Sequence, residues 1–357
     1  MRLARRAPRD TCVRQPPRNL TRLPRVARRL APAFAVVCAL AAGGCGRQST
    51  LAPHSPGARS IATLWWWMLV AAVIVVAGAI GLIGIAWVRR RTEGIPVVGR
   101  REGFNLGMVV LFGIGIPLVV LISLFVVANF VVLPQTDAPA ASSTPLTIQV
   151  IGKQWFWEVR YPGTSAVTAN EIHIPVRTRV TVVTQTADVI HSFWVPEIAR
   201  KIDLIPGRRN RVVLFADKPG RYRGQCAEFC GAQHAHMALY VFADPPARFR
   251  AWLADQARPR RAPVTSAQRR GEQVFLSAQC ASCHALRGTP AQGQVGPDLT
   301  HLGSRTTLAA LAIPNTPATL AAWIHDPQRI KPGNRMPALG LDAADVQSLV
   351  GYLESLR

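Results

Sequence analysis

Cys226-Ala227-Glu228-Phe229-Cys230-Gly231-Ala232-Gln233-His234-Ala235-His236-Met237 gathers two thiols, two imidazoles and a thioether within twelve residues. A further imidazole stands upstream in Asp188-Val189-Ile190-His191-Ser192-Phe193-Trp194. Thiolate and thioether ligands combined with imidazoles select copper over harder metals. A mononuclear copper site needs one Cys, one His and one Met from a closing loop and one His from an earlier strand; this loop carries a second Cys. Two thiolates four residues apart can bridge two copper ions, leaving one imidazole for each. Cys-x3-Cys with a nearby His also fits zinc, but the accompanying Met weighs toward copper. Met237 is the only methionine between Met108 and Met336. His236, one residue from His234, points away from the cluster if this stretch is extended.

The flanking sequence has the texture of short strands. Alternating runs at 146–150, 179–184 and 211–215 are punctuated by Pro162-Gly163, Pro206-Gly207 and Pro219-Gly220, which predicts a β-sandwich or barrel over residues 146–245. A linker is expected over 246–264. Helical periodicity at 266–277, 317–325 and 342–356 then predicts a small all-α domain over 265–357. At its start, Cys280-Ala281-Ser282-Cys283-His284 has the form that attaches a c-type haem, two thioethers with the next His as proximal iron ligand. A thioredoxin-like motif would need a βαβ setting, and zinc would need two more ligands nearby. Met336 in Gly333-Asn334-Arg335-Met336-Pro337 is the only methionine after that motif. This makes it the candidate distal ligand, with His301 and His325 as rivals.

Upstream, two uncharged stretches, about 64–88 and 106–132 within 60–135, are each long enough to cross a bilayer, which takes about 20 residues. Trp65, Trp66, Trp67 and Trp87 suit its interfaces. Arg89, Arg90, Arg91, Arg100 and Arg101 lie between the stretches and place the connecting loop in the cytoplasm, so both ends of the hairpin face outward. Residues 1–45 combine an arginine-rich start, an apolar run and Ala41-Ala42-Gly43-Gly44-Cys45, the pattern of an export signal. Cys45 is a candidate for lipidation, since the segment resembles a bacterial lipoprotein signal.

The net charge of +23 owes much to the ten arginines from Arg2 to Arg29. The segment 146–245 has twelve Lys/Arg against eight Asp/Glu, and 265–357 has eight against six. With the leader distorting the whole-chain figure, both later regions only mildly basic and no recognition motif present, nothing points to a nucleic-acid partner. With the four cysteines at 226, 230, 280 and 283 assigned to cofactors, no disulfide framework remains to propose.

Residues 226–237, 191–196 and 201–210 together resemble the CuA domain of cytochrome c oxidase subunit II. The order of membrane hairpin, copper domain and cytochrome resembles bacterial caa-type oxidases, in which that subunit carries its own cytochrome c. The resemblance implies a membrane-anchored multidomain chain: a two-helix transmembrane hairpin, a cupredoxin-like domain and an all-α class I cytochrome c domain. It implies bridging by Cys226 and Cys230, one copper served by His191 and Met237, and the other by His234 and the Glu228 carbonyl. It also implies a shared magnesium at the Glu228 side chain. Haem c would be held by Cys280, Cys283, His284 and Met336; Gly296-Pro297-Asp298-Leu299 and Met336-Pro337 are similar to small cytochromes c. Gly152-Lys153-Gln154-Trp155-Phe156-Trp157 resembles the aromatic segment through which electrons reach the copper in that family. Trp155 is the candidate, although Lys153 and Phe156 stand where His and Tyr are more usual. Glu102 sits near the family's proton-pathway glutamate, in surroundings that depart from its pattern; a membrane-edge residue is expected.

The implied function is transfer of electrons from cytochrome c, through haem c and CuA, to a haem-copper catalytic subunit that reduces O2 and translocates protons. Implied partners are oxidase subunits I and III, an upstream cytochrome c or quinol–cytochrome c reductase, and membrane lipid. The implied location is the bacterial inner membrane, with both soluble domains on the periplasmic or outer side. The alternatives are the CuA subunit of a nitric oxide reductase and a tethered carrier outside any oxidase.

Overall fold

The computed structural model describes residues 48–89, 102–138 and 144–357. The export signal, Cys45 and the loop arginines from Arg90 to Arg101 lie outside the described residues.

Helix α1 spans Pro56–Arg89, beginning before the expected position 64. Ser55 and Pro56 explain the early start. The Ser55 Oγ accepts from the Ala58 N–H at 3.0 Å, and proline is pre-set for the first helical turn, where its missing N–H costs nothing. The extra turns carry Arg59, whose Nη1 donates to Asp217 Oδ2 at 2.8 Å and ties the helix to the β-domain.

The second apolar segment comprises α2 (Glu102–Val110), α3 (Ile116–Val127) and α4 (Leu133–Thr136), joined by π-helical turns at Leu111–Gly115 and Ala128–Val132. Each π-turn lies directly ahead of a proline, Pro117 and Pro134. A proline lacks the N–H and crowds the carbonyl four residues back; widening the preceding turn absorbs both without breaking the helix. Both segments are long and apolar enough to cross a membrane. Their outward side chains, Val75, Ile83, Phe112 and Phe130 among them, are exposed, as a lipid-facing surface requires.

Ten strands follow: β1 (Leu146–Lys153), β2 (Phe156–Arg160), β3 (Val167–Ala169), β4 (Glu171–Pro175), β5 (Val180–Thr186), β6 (His191–Trp194), β7 (Ile202–Leu204), β8 (Asn210–Leu214), β9 (Gly220–Cys226) and β10 (Ala238–Asp244). One sheet has the order β3-β2-β1-β5-β8 and the other β4-β10-β9-β6-β7. β1 runs parallel to β5, and β4 parallel to β10. Ile148, Val150, Val180 and Val182 of the first sheet share a core with Ile172, Ile174, Leu239 and Val241 of the second, the arrangement of a cupredoxin-like sandwich.

The expected linker 246–264 is helical over its first part, α5 (Pro246–Gln256). Phe249 is buried, and Trp252 stacks on His173 with ring centroids 3.9 Å apart. Burial of this aromatic face against the sandwich stabilises a helix that its own propensity would leave marginal.

The C-terminal domain consists of α6 (Ser266–Ser277), the single turn α7 (Cys280–Cys283), the short pair β11 (Thr307–Leu308) and β12 (Ile313–Pro314), then α8 (Pro317–His325), α9 (Pro327–Ile330) and α10 (Ala343–Ser355). Thr265, Thr316 and Asp342 cap α6, α8 and α10 by accepting N–H bonds from Gln268, Thr319 and Asp345. Val274 and Phe275 of α6 and Leu349, Tyr352 and Leu353 of α10 form the centre of its core.

Candidate metal centre and haem pocket

Pairing of β6 with β9 sets Phe193 opposite Cys226, so His191 and Cys226 stand at one end of the second sheet. The connection from β9 to β10 folds back over that end. It turns at Gly231, whose φ of 111° suits glycine, and passes through a 3-10 turn at His234–His236. The expected extended stretch is therefore a tight turn. His236 still faces elsewhere, with its Nδ1 2.7 Å from Gln233 Oε1.

The thiols of Cys226 and Cys230 are free and 3.8 Å apart. His191 Nδ1 lies 3.9 Å from Cys226 Sγ, and His234 Nδ1 lies 3.7 Å from Cys230 Sγ. Met237 Sδ is 3.8 Å from Cys230 Sγ, and the Glu228 carbonyl is 3.1 Å from Cys226 Sγ. Two facing sulfurs with one imidazole each, one thioether and one carbonyl form a donor set that fits two soft ions sharing thiolate bridges. Cys226, Cys230, Met237 and His191 are buried.

The surrounding shell orients these donors. Asp188 Oδ1 is 2.8 Å from His191 Nε2, which leaves Nδ1 toward the sulfurs. Burial would raise the Asp188 pKa, but hydrogen bonds from His191 and from the Gln154 and Val189 N–H groups hold it below its ordinary value. Burial likewise opposes charge on His191, yet Asp188 and Cys226 raise its pKa. The sulfur–sulfur contact with Cys230, helped by His191, pushes the Cys226 pKa down, while Cys230 is pushed up by the same contact. Gly152 on β1 makes room for His191: a Cβ there would meet His191 Cδ2 at 2.8 Å. Neither Asp188 nor Gly152 was predicted as a functional residue.

The magnesium role expected of the Glu228 side chain gains no support. That carboxylate is exposed and accepts from its neighbour, the Phe229 N–H, at 3.1 Å. Among the described residues the one cluster of metal-ligating side chains is His191, Cys226 and Cys230.

In the C-terminal domain, Cys280, Cys283, His284 and Met336 line one apolar cavity, with Phe275 and Trp323 among its walls. His284 Nδ1 donates to the Pro297 carbonyl at 2.8 Å, leaving Nε2 available to iron. Burial lowers its pKa and so favours the neutral, ligating form. Gly296 lies against the imidazole so closely that any Cβ would collide with His284 Cε1. Two thiols at one wall, a neutral imidazole held by its far nitrogen and a thioether fit a covalently attached haem. The rivals of Met336 are placed elsewhere: His301 Nε2 is 3.0 Å from the Arg258 carbonyl, and His325 is exposed at the end of α8.

One wall of the cavity belongs to the β-domain. Trp155 lines it, and its indole N–H donates to the Cys230 carbonyl at 3.0 Å. The sequence offered Trp155 as a candidate but gave no sign that the C-terminal domain would cover it. Glu102 is the first residue of α2.

Residues 164–243 match the family model for cytochrome c oxidase subunit II, periplasmic domain, and residues 268–357 match that for cytochrome c. The cytochrome c oxidase subunit 2 of Alkalihalophilus pseudofirmus is 33% identical over 272 residues, covering 75% of this chain and 78% of that protein. Its counterpart in Bacillus sp. (strain PS3) is 29% identical, covering 68% and 72%. Among solved structures, the periplasmic domain of subunit II of cytochrome oxidase of Bradyrhizobium japonicum is 34% identical, covering 32% of this chain and 94% of that one, with a TM-score of 0.31.

Proposed function

The chain belongs to the cytochrome c oxidase subunit II family, in the form fused to a cytochrome c domain, and we propose that it delivers electrons to the oxidase through two redox groups that it holds itself. When bound, a c-type haem and a dinuclear copper centre would each supply a one-electron couple. Cys280 and Cys283 would carry the haem by thioethers, with His284 and Met336 as axial ligands. Cys226 and Cys230 would bridge the coppers, His191 with Met237 and His234 with the Glu228 carbonyl completing the set. Met with His ligation raises the potential of a c-type haem, which suits delivery to an oxidase.

One observation carries this reading: Trp155 lines the haem cavity and hydrogen-bonds the backbone of Cys230. A single side chain thus bridges the two cofactor sites. Asp188 and Pro297 hold His191 and His284 by their distal nitrogens, so the ligands are pre-oriented and reorganise little.

Reduction of O2 and translocation of protons we assign to the haem-copper catalytic subunit that receives these electrons. Val189, Ile190 and Phe229, exposed apolar residues on the two ligand-bearing loops, suit docking to such a partner. The apolar helix pair would anchor the chain in the bacterial inner membrane. The arginines between the helices would put their connection in the cytoplasm and both soluble domains outside.

The test is electron paramagnetic resonance of the full chain in its oxidase, wild type against Cys230→Ser. A seven-line copper hyperfine pattern lost in the variant, beside a retained low-spin c-type haem spectrum, is expected. A haem spectrum with only mononuclear copper in the wild type would overturn the copper assignment.

A further inference from the structure

Lys331 is only 3% exposed and stands five residues before Met336 in the sequence. Its Nζ reaches three backbone carbonyls from three separate segments: Trp155 O at 2.8 Å, His236 O at 2.9 Å and Ala309 O at 3.2 Å. The first belongs to the segment between β1 and β2, the second to the turn of the copper loop, and the third to the cytochrome domain. Lys331 also lines the haem cavity.

An ammonium has three N–H donors and no acceptor, and here each donor has one carbonyl. Burial is the largest effect on the Lys331 pKa, which is lowered to about 7. The neutral amine, however, would offer two donors to three carbonyls and leave one unmatched. The charge is also unshared: among the described residues no carboxylate forms an ion pair with Lys331. An uncompensated cation in a water-poor seam is costly, and core packing would be served equally well by an apolar side chain.

The seam around it has other bonds. Arg335 Nη2 donates to Gln154 Oε1 at 2.7 Å, Gln233 Nε2 donates to the Pro332 carbonyl, and Lys153 Nζ donates to Gln294 O at 2.8 Å. Lys331 differs from these in being buried, charged and common to both cofactor sites.

Resting on the two-cofactor reading above, we infer that Lys331 is a positioning residue of the electron relay, whose ammonium staples the haem-ligand loop to Trp155 and the copper loop and whose buried charge raises the reduction potential of the adjoining centres. A fixed positive charge in low dielectric favours the reduced form of a neighbouring group, since that form carries one more electron. The staple fixes the spacing over which electrons cross; the charge sets the potentials between which they move.

The test uses the full-length, cofactor-loaded chain in its oxidase, with Lys331→Gln, Lys331→Met and Lys331→Arg. Glutamine keeps donors but not charge, so the haem midpoint potential falls while haem-to-copper transfer persists. Methionine keeps neither: the potential falls, and haem-to-copper transfer becomes slower than in Lys331→Gln as all three bonds to Trp155, His236 and Ala309 are lost. Hydrogen exchange at residues 154–156 should quicken in Lys331→Met. Arginine keeps the charge and should hold the potential near the wild-type value. Unchanged potentials in the Gln and Met variants overturn the inference. So does a fall shared equally by Arg and Gln, which decides the matter even if Lys331→Met fails to load haem. Absence of the haem or mixed-valence copper signal from the wild type would instead count against the parent reading.

Discussion

The indole N–H of Trp155 donates to the carbonyl of Cys230 at 3.0 Å, while the same side chain walls the cavity bounded by Cys280, Cys283 and His284. The cytochrome domain therefore covers the aromatic residue through which the copper site would receive electrons. Trp155→Phe keeps a ring but removes one of two donors to the Cys230 carbonyl, which Gln154 Nε2 also reaches at 2.9 Å, at the cost of one net hydrogen bond, about 0.5–1.5 kcal/mol. Trp155→Ala also removes the bridge. Transient kinetics of the loaded chain should show haem-to-copper transfer slowed moderately by Phe and severely by Ala, with both absorption spectra retained. Equal rates in the three proteins would remove Trp155 from the path.

Room for His191 depends on Gly152, since a Cβ would lie 2.8 Å from the imidazole. Overpacking of this kind costs about 1–3 kcal/mol. Gly152→Ala is expected to lower the thermal midpoint and the copper content together, read by calorimetry and metal analysis. A fully loaded variant of wild-type stability would show that the strand yields without cost.

Asp188→Asn should weaken copper binding by about 10- to 100-fold, the usual consequence of removing a partner that orients a ligating imidazole. Competition with a copper chelator reads this directly. Because Asn retains the shape, wild-type affinity in the variant would mean that the 2.8 Å contact to His191 contributes packing alone.

Gly296 bears the same relation to His284. Gly296→Ala should displace the imidazole and yield a high-spin or haem-free cytochrome domain, visible in the absorption spectrum, while the copper signal survives. A normal low-spin spectrum would contradict the tight approach.

The attachment of α5 should depend on pH. His173 is hydrogen-bonded to Asp244 at 2.9 Å and stacks on Trp252. The Asp244 pKa is lowered from its ordinary 3.8, chiefly by the His173 hydrogen bond. A carboxyl held lower in the folded than in the unfolded chain contributes stability above the unfolded pKa and loses it as pH falls through the folded one. Trp252 fluorescence should thus report loosening of α5 only below pH 3.8, and Asp244→Asn should abolish that acid transition. A transition unaffected by the substitution would assign it to other carboxylates.

The chemistry of both centres was legible in the sequence because most of each donor set is contiguous. Cys226 to Met237 form one loop, and Cys280 to His284 one turn. The helices at 266–277 and 317–325 followed from periodicity and agree with α6 and α8. What escaped reading depends on approach in space. Nothing local marks Gly152 as the neighbour of His191, or Lys331 as the partner of the Trp155 carbonyl; sheet register and domain docking bring them together. Two misses left signals that could have been used. Phe249, Trp252 and Leu253 recur at helical spacing after Pro246, which announced α5, and Ser55-Pro56 is a helix start that would have moved α1 outward. The turn at His234–His236 is closed by backbone hydrogen bonds from His234 to Gly231 and from His236 to Gln233, which the residue types do not announce.

The central claim, that one chain holds both ends of an electron relay, is tested most directly by flash reduction of the full-length, cofactor-loaded protein with a substoichiometric photochemical reductant. Reduced haem should appear first and then decay in step with reduction of the copper centre, at a first-order rate independent of protein concentration. A rate that rises in proportion to concentration, or a haem that stays reduced beside oxidised copper, would contradict the relay.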